Sequence, residues 1–341
     1  MDQTTHAWIA VRAIALLEST KADENLVSFL LLKASLPAIG AWIPELIDDK
    51  RGGSKTQHHV LKMLPAIKPS DNFGDRFVAR KADLLKRMAG GLEIKKFLAA
   101  DTSLSDEWWA RPYKANPRPG QNFADRAMGL ASTLRDLLVI GDPVLDILVP
   151  GRVPFLKDTP PDALARANQA ALYFFMLSHF VADACMPCHC DGRKLCGDDE
   201  GLHRELEGHW AGIVGPAFDD AALTGPKAPA TEELIKAAKA VDARAGVRFP
   251  DKVPPMPYER DAWLEVVDMA RASFAVMGII VPEALCRYDD EATRVKFGQA
   301  FDPNDPKKQK LLKDVTRVAL HDAVVNTAMI WLDTWKSVWK N

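Results

Sequence analysis

The segment Leu177-Ser178-His179-Phe180-Val181-Ala182-Asp183-Ala184-Cys185-Met186-Pro187-Cys188-His189 holds the residues best suited to chemistry. His179 and Asp183 are four apart, so on a helix they share one face. Pro187 cannot continue that helix and ends it within a turn. His189 then falls just past the end, free to bend back. Fourteen residues on, His203 and Glu207 form a second imidazole–carboxylate pair at the same spacing. Zinc takes nitrogen and carboxylate oxygen and demands fixed geometry, which rigid helices supply. One such pair alone is more often a solvated helix face. Two pairs close together, with a proline-anchored histidine between them, point to metal. His6, His58 and His59 lie upstream, while His209 and His321 read as ordinary packed or surface residues.

Helices must position these side chains. Leu311, Val315, Val318, Val325, Met329 and Leu332 recur at steps of three and four, with Asp322 in one slot. Ile9, Ala13 and Leu16 do the same near the start. The spacing predicts further helices over about 23–38, 75–99, 123–140, 161–185, 203–213, 231–244 and 259–284. Clean period-2 alternation is absent. Pro and Gly gather in 112–120, 141–160, 215–229 and 249–257, none of which reads as an inter-domain linker. The expectation is an all-α chain: a single multi-helix domain over residues 1–341, about ten helices with long irregular loops.

Among 341 residues, 44 Lys and Arg nearly balance 46 Asp and Glu, a net charge of −2. That excludes a broadly basic nucleic-acid scaffold and an acidic tail protein. The chain is 48% hydrophobic, too apolar for disorder. The apolar run Leu26 to Leu32, with Ser28 inside it, is far short of the ~18 residues a membrane span needs. The opening MDQTTHAW lacks the basic start of a secretory signal. The expectation is a cytoplasmic protein, or one exported without a classical signal peptide.

The run SHFVADACMPCHC followed by GLHRELE resembles the signature of the zinc-dependent phospholipase C superfamily. That superfamily also contains the single-strand-specific zinc nucleases of fungi and plants. THAWIAVRAIALLE resembles its first helix, which begins at a metal-binding histidine. The resemblance implies a trinuclear zinc cluster in a cleft. His189, His203 and Glu207 would hold one ion. His179 and Asp183 would join a second, with a histidine and an acidic residue from an earlier loop. Asp183 would also touch the third, which His6 and the N-terminal residue complete. Glu45 follows Pro44 where the family has Asp, and Asp48 competes with it. His58 or His59 would supply the imidazole, and the family pattern of His before an aromatic slightly favours His58. Family members expose an N-terminal tryptophan, whereas Met1 stands here. Asp2 is too bulky for efficient methionine removal, so the Met1 amine would be the ligand.

The activity implied is phosphodiester hydrolysis by a metal-bridging hydroxide. Asp183 would bridge the close metal pair, and Glu45 or Asp48 would serve as general base. Glu207, preceded by G-x-H, sides with the phospholipases. The alternative is a hydrolase of the single-strand nuclease or 3'-nucleotidase type. It needs an aromatic base pocket, for which Trp42, Trp108, Trp109 and Phe180 are available. The implied partner is a phospholipid headgroup or another phosphodiester, with transient membrane-surface contact. No extended nucleic-acid-binding surface is evident. Two rivals remain. Cys185, Cys188, Cys190 and Cys196 are spaced like a zinc knuckle, which would make a non-catalytic interaction protein; equally they are small buried hydrophobes. A degenerate family member kept for binding is the other, motivated by Glu45 and the missing tryptophan.

Overall fold

The structure, a computed structural model, describes residues 1–32, 40–45, 59–64, 84–86, 88, 111–112, 122–139, 161–193, 201–224, 229–256, 260–287 and 294–338. The chain is all-α. Its main helices are α1 (Gln3–Ser19), α2 (Glu24–Leu32), α3 (40–45), α4 (Phe123–Val139) and α5 (Pro161–Ala184), then α6 (Pro187–Cys190) and α7 (Leu202–Val214). They continue with α8 (Thr231–Ala245), α9 (Ala262–Ile280) and α10 (Pro306–Ser337). Among the described residues the only sheet is a two-residue antiparallel pair, Met63–Leu64 with Arg111–Pro112.

Local signals explain the boundaries. Asp2 caps α1 by accepting the Thr5 N–H at 3.0 Å. Pro306 opens α10 where its missing N–H costs nothing, behind an Asp305 cap. Gly246 ends α8 at φ +66°, a left-handed conformation that favours glycine. Met186 is extended, as a residue before proline must be, so the chain leaves α5 and restarts as α6.

α1 is buried at every position from Thr5 to Leu17, and α10 at nearly every one from Asp314 to Trp335. Helices apolar all round belong in the centre. α1 packs on α10, α8, α5 and α7. Buried indoles pin these contacts, because a buried N–H needs an acceptor. Trp8 donates to Ala238 O at 3.0 Å, Trp210 to Thr316 Oγ1 at 3.0 Å, and Trp331 to Phe174 O at 2.7 Å. Arg12 adds a fork to Asp242 and stacks over Phe249.

Some expectations shift. The loop expected at 215–229 holds a helical turn, Pro216–Phe218, and a short helix, Asp220–Thr224. Asp219 starts that helix by accepting the Ala222 N–H at 2.8 Å, a cap that periodicity does not show. The helix expected over 23–38 is described only to Leu32. That over 75–99 is described at 84–86 and 88, which are helical. Residues 141–160 lie outside the described set. No helix among the described residues is long and apolar enough to cross a membrane.

Candidate metal centre

Helix α5 brings His179 and Asp183 onto one face, one turn apart, both fully buried. α6 is the short helix after Met186, and it turns His189 back toward Asp183. His189 Nδ1 lies 3.2 Å from Asp183 Oδ1. α7 carries His203 and Glu207 on one face. α1 delivers His6, and the Met1 amine ahead of it. Segment 59–64 delivers His59, and the end of α3 delivers Glu45.

Three donor groups result: His189, His203 and Glu207; His59, His179 and Asp183; and His6, Glu45 and His179, each with donor atoms within 4.8 Å of one another. These buried His, Asp and Glu clusters could hold metal ions. In the first, His189 Nε2 is 2.8 Å from His203 Nε2. Glu207 Oε1 is 2.9 Å from His203 Nε2 and 3.5 Å from His189 Nε2. In the second, His59 Nδ1 is 2.8 Å from His179 Nε2. Asp183 Oδ2 is 2.9 Å and 3.2 Å from those nitrogens. Donors on one tetrahedral zinc stand about 3.3 Å apart, given Zn–N bonds of about 2.0–2.1 Å. Both triangles are near that size.

Proton placement favours the same reading. Two imidazole nitrogens 2.8 Å apart repel unless one carries a proton or both lone pairs meet a cation. His179 Nδ1 lies 2.6 Å from Ala41 O, so it donates there and leaves Nε2 as a lone pair facing His59 and Asp183. His6 stacks on His179 with ring centroids 3.8 Å apart. Neither His6 ring nitrogen has a hydrogen-bond partner among the described residues, although Nε2 is 3.4 Å from Asp183 Oδ1. A buried imidazole with two unused nitrogens fits a ligand better than a packing residue.

Asp183 is the hub. Oδ1 faces the Met1 amine at 3.0 Å, His6 and His189, while Oδ2 faces His59 and His179. Burial acts most strongly on its carboxyl and would raise its pKa. The Met1 ammonium is the strongest opposing influence, and the carboxyl is held well below the usual carboxylate range. Burial pulls the Met1 amine down, yet Asp183, then Glu207 and Glu45, push it up to about 11. Burial lowers His6 and His189, so both are neutral and ready to ligate. Burial also raises the Glu45 carboxyl.

Several expectations change here. His59 is an imidazole beside His179; His58 and Asp48 lie outside the described residues. The Met1 amine was expected only in the His6 set, but it is also 2.9 Å from Glu207 Oε1 and so sits between two groups. Glu45 converges with His6 as well as His179. Trp42 is buried and gives its N–H to Gln3 O at 2.8 Å, so it ties α3 to α1 and offers no face for stacking a base. Phe180 is buried against the rings of His59 and His179. Trp108 and Trp109 lie outside the described residues. Cys185, Cys188 and Cys190 are buried, and among the described residues no converging donor group contains a cysteine. Burial raises the Cys190 thiol, the opposite of what a thiolate ligand needs. Cys196 lies outside the described residues.

A single glycine added ahead of Met1 tests the amine. Met1 is 1% exposed, so the extension turns the amine into an amide with no room around it. Bound zinc is expected to fall by about one equivalent, because an amide nitrogen is a poor donor. Unchanged metal content in the extended chain would remove Met1 from the centre.

Comparisons with protein-family models, with curated proteins and with solved structures find no match.

Proposed function

We propose that this chain is a zinc-dependent phosphodiester hydrolase of the phospholipase C kind, with about three zinc ions in the centre. One observation supports it most: the two oxygens of Asp183 face different donor sets. A carboxylate can bridge two cations where an imidazole cannot. Zinc bound there would supply Lewis acidity at the phosphoryl oxygens and acidify attacking water toward neutral pH.

The chain's own residues do the rest. Asp183 fixes the spacing of the two sets. His179, held by Ala41 O, keeps its Nε2 lone pair aimed inward, and His189 lies with Nδ1 3.2 Å from Asp183 Oδ1. Glu45 is half-buried, burial raises its carboxyl pKa, and it is placed to serve as general base. It takes the proton of the attacking water. The phospholipase reading stands ahead of the nuclease reading because Trp42 and Phe180 are used in packing. The substrate is then a phospholipid headgroup at a membrane surface.

Parallel assays on phosphatidylcholine and single-stranded DNA, with and without a chelator, test this. Phosphatidylcholine cleavage that stops with chelator and returns with zinc is expected. Cleavage of DNA alone would replace the substrate, and cleavage of neither would sink the hydrolase reading.

A further inference from the structure

A buried ion pair follows His189 in the chain. The Asp191 and Arg193 side chains are both 0% exposed. Arg193 Nε is 3.1 Å and 3.2 Å from the two Asp191 oxygens, and Nη2 is 2.8 Å from Oδ2. Its Nη1 donates to Val281 O at 2.6 Å and Cys286 O at 2.8 Å, just past the C-terminus of α9. A guanidinium at a helix C-terminus meets the negative end of the dipole. A fully buried pair is costly to desolvate, so it is weak evidence for stability and calls for another role.

The backbone of this stretch shows what the pair holds. Segment 59–64, which carries His59, is laced to segment 187–193, which carries His189. Leu61 N–H donates to His189 O at 3.2 Å, Gly192 N–H to Met63 O at 2.8 Å, and Lys62 Nζ to Cys188 O at 2.5 Å. Met63 and Asp191 form a parallel bridge. His59 and His189 then reach opposite oxygens of the same carboxylate, Asp183. One laced unit thus presents a ligand to each of two donor groups; α6 packs it on α9, and Arg193 fastens its far end just past α9.

We infer that Arg193 is a positioning residue that, with Asp191, sets the spacing between the His59 group and the His189 group. This rests on the proposed metal reading of those donors. Arg193→Lys keeps the charge but loses the fork that spans Asp191 and two carbonyls. In folded protein it is expected to weaken at least two metal equivalents together, by about tenfold or more, as losing an outer support of metal ligands does. His203→Ala should weaken only one.

The experiment titrates zinc and cobalt into wild type, Arg193→Lys and His203→Ala, following affinity and the visible cobalt spectrum, with circular dichroism to confirm folding. A folded Arg193→Lys with wild-type affinity and an unchanged cobalt spectrum would make Arg193 a plain stability element and overturn the inference. If Arg193→Lys does not fold, Lys62→Met decides by the same titration. It removes one lace and leaves the ion pair intact, so joint weakening at both groups is expected and wild-type binding overturns the inference. Wild type that binds no metal would sink the reading of the donors and this inference with it. Wild type that binds while Arg193→Lys matches it and His203→Ala weakens would sink the inference alone.

Discussion

Asp183→Asn is expected to lose about two metal equivalents per chain and to lower phosphodiester hydrolysis by at least about 10²–10³-fold, the cost of one preorganised electrostatic group. The amide keeps the size of the carboxylate but lacks the charge to bridge two cations. Both oxygens are engaged in the wild type, Oδ1 with Met1, His6 and His189 and Oδ2 with His59 and His179. The ion at His189, His203 and Glu207 is expected to stay, held more weakly, because His189 loses the carboxylate that orients its ring. The metal-free fold also loses thermal stability, since the buried Met1 ammonium then has Glu207 as its remaining close carboxylate. Metal analysis, hydrolysis rate and a melting curve read the three effects. Full metal content with full activity would remove Asp183 from the bridging role.

Glu207→Ala is expected to remove about one metal equivalent while the close pair at Asp183 stays. His203 and Glu207 stack one turn apart on α7, and their nearest donor atoms are 2.9 Å apart. The Glu207 side chain is 20% exposed, so its loss leaves the core packing and helical content intact. Metal content per chain checks it, and an unchanged value would count against the His189, His203 and Glu207 group. The two substitutions thus give opposite patterns of metal loss, which a general loss of stability cannot imitate.

Much of this centre was legible in the sequence. Two imidazole–carboxylate pairs at i, i+4 fix side-chain directions through helix geometry alone, and Pro187 fixes where α5 must stop. Other features depend on tertiary contacts and carry no local signal. His59 is brought beside His179 by the lacing of 59–64 to 187–193. The Met1 amine reaches Glu207 because α1 packs on α7. Asp191 and Arg193 carry no signal in the sequence, because the Val281 and Cys286 carbonyls that Arg193 meets are distant in the chain. α10 was found from part of its pattern. It is buried nearly all round, so its apolar stripe is blurred where the helix is most central. The cysteines left two readings open in the sequence, because knuckle-like spacing on a buried turn brings small side chains into the core as readily as toward a metal.

The most direct test of the metal centre is the zinc content of folded, wild-type chain after equilibration with zinc and removal of the excess. About three zinc ions per chain are expected, one at His189, His203 and Glu207, one at His59, His179 and Asp183, and one at His6 and Glu45 beside Asp183, with phosphodiester hydrolysis that follows their removal and return. Zinc no higher than in a chelator-treated control would contradict the account.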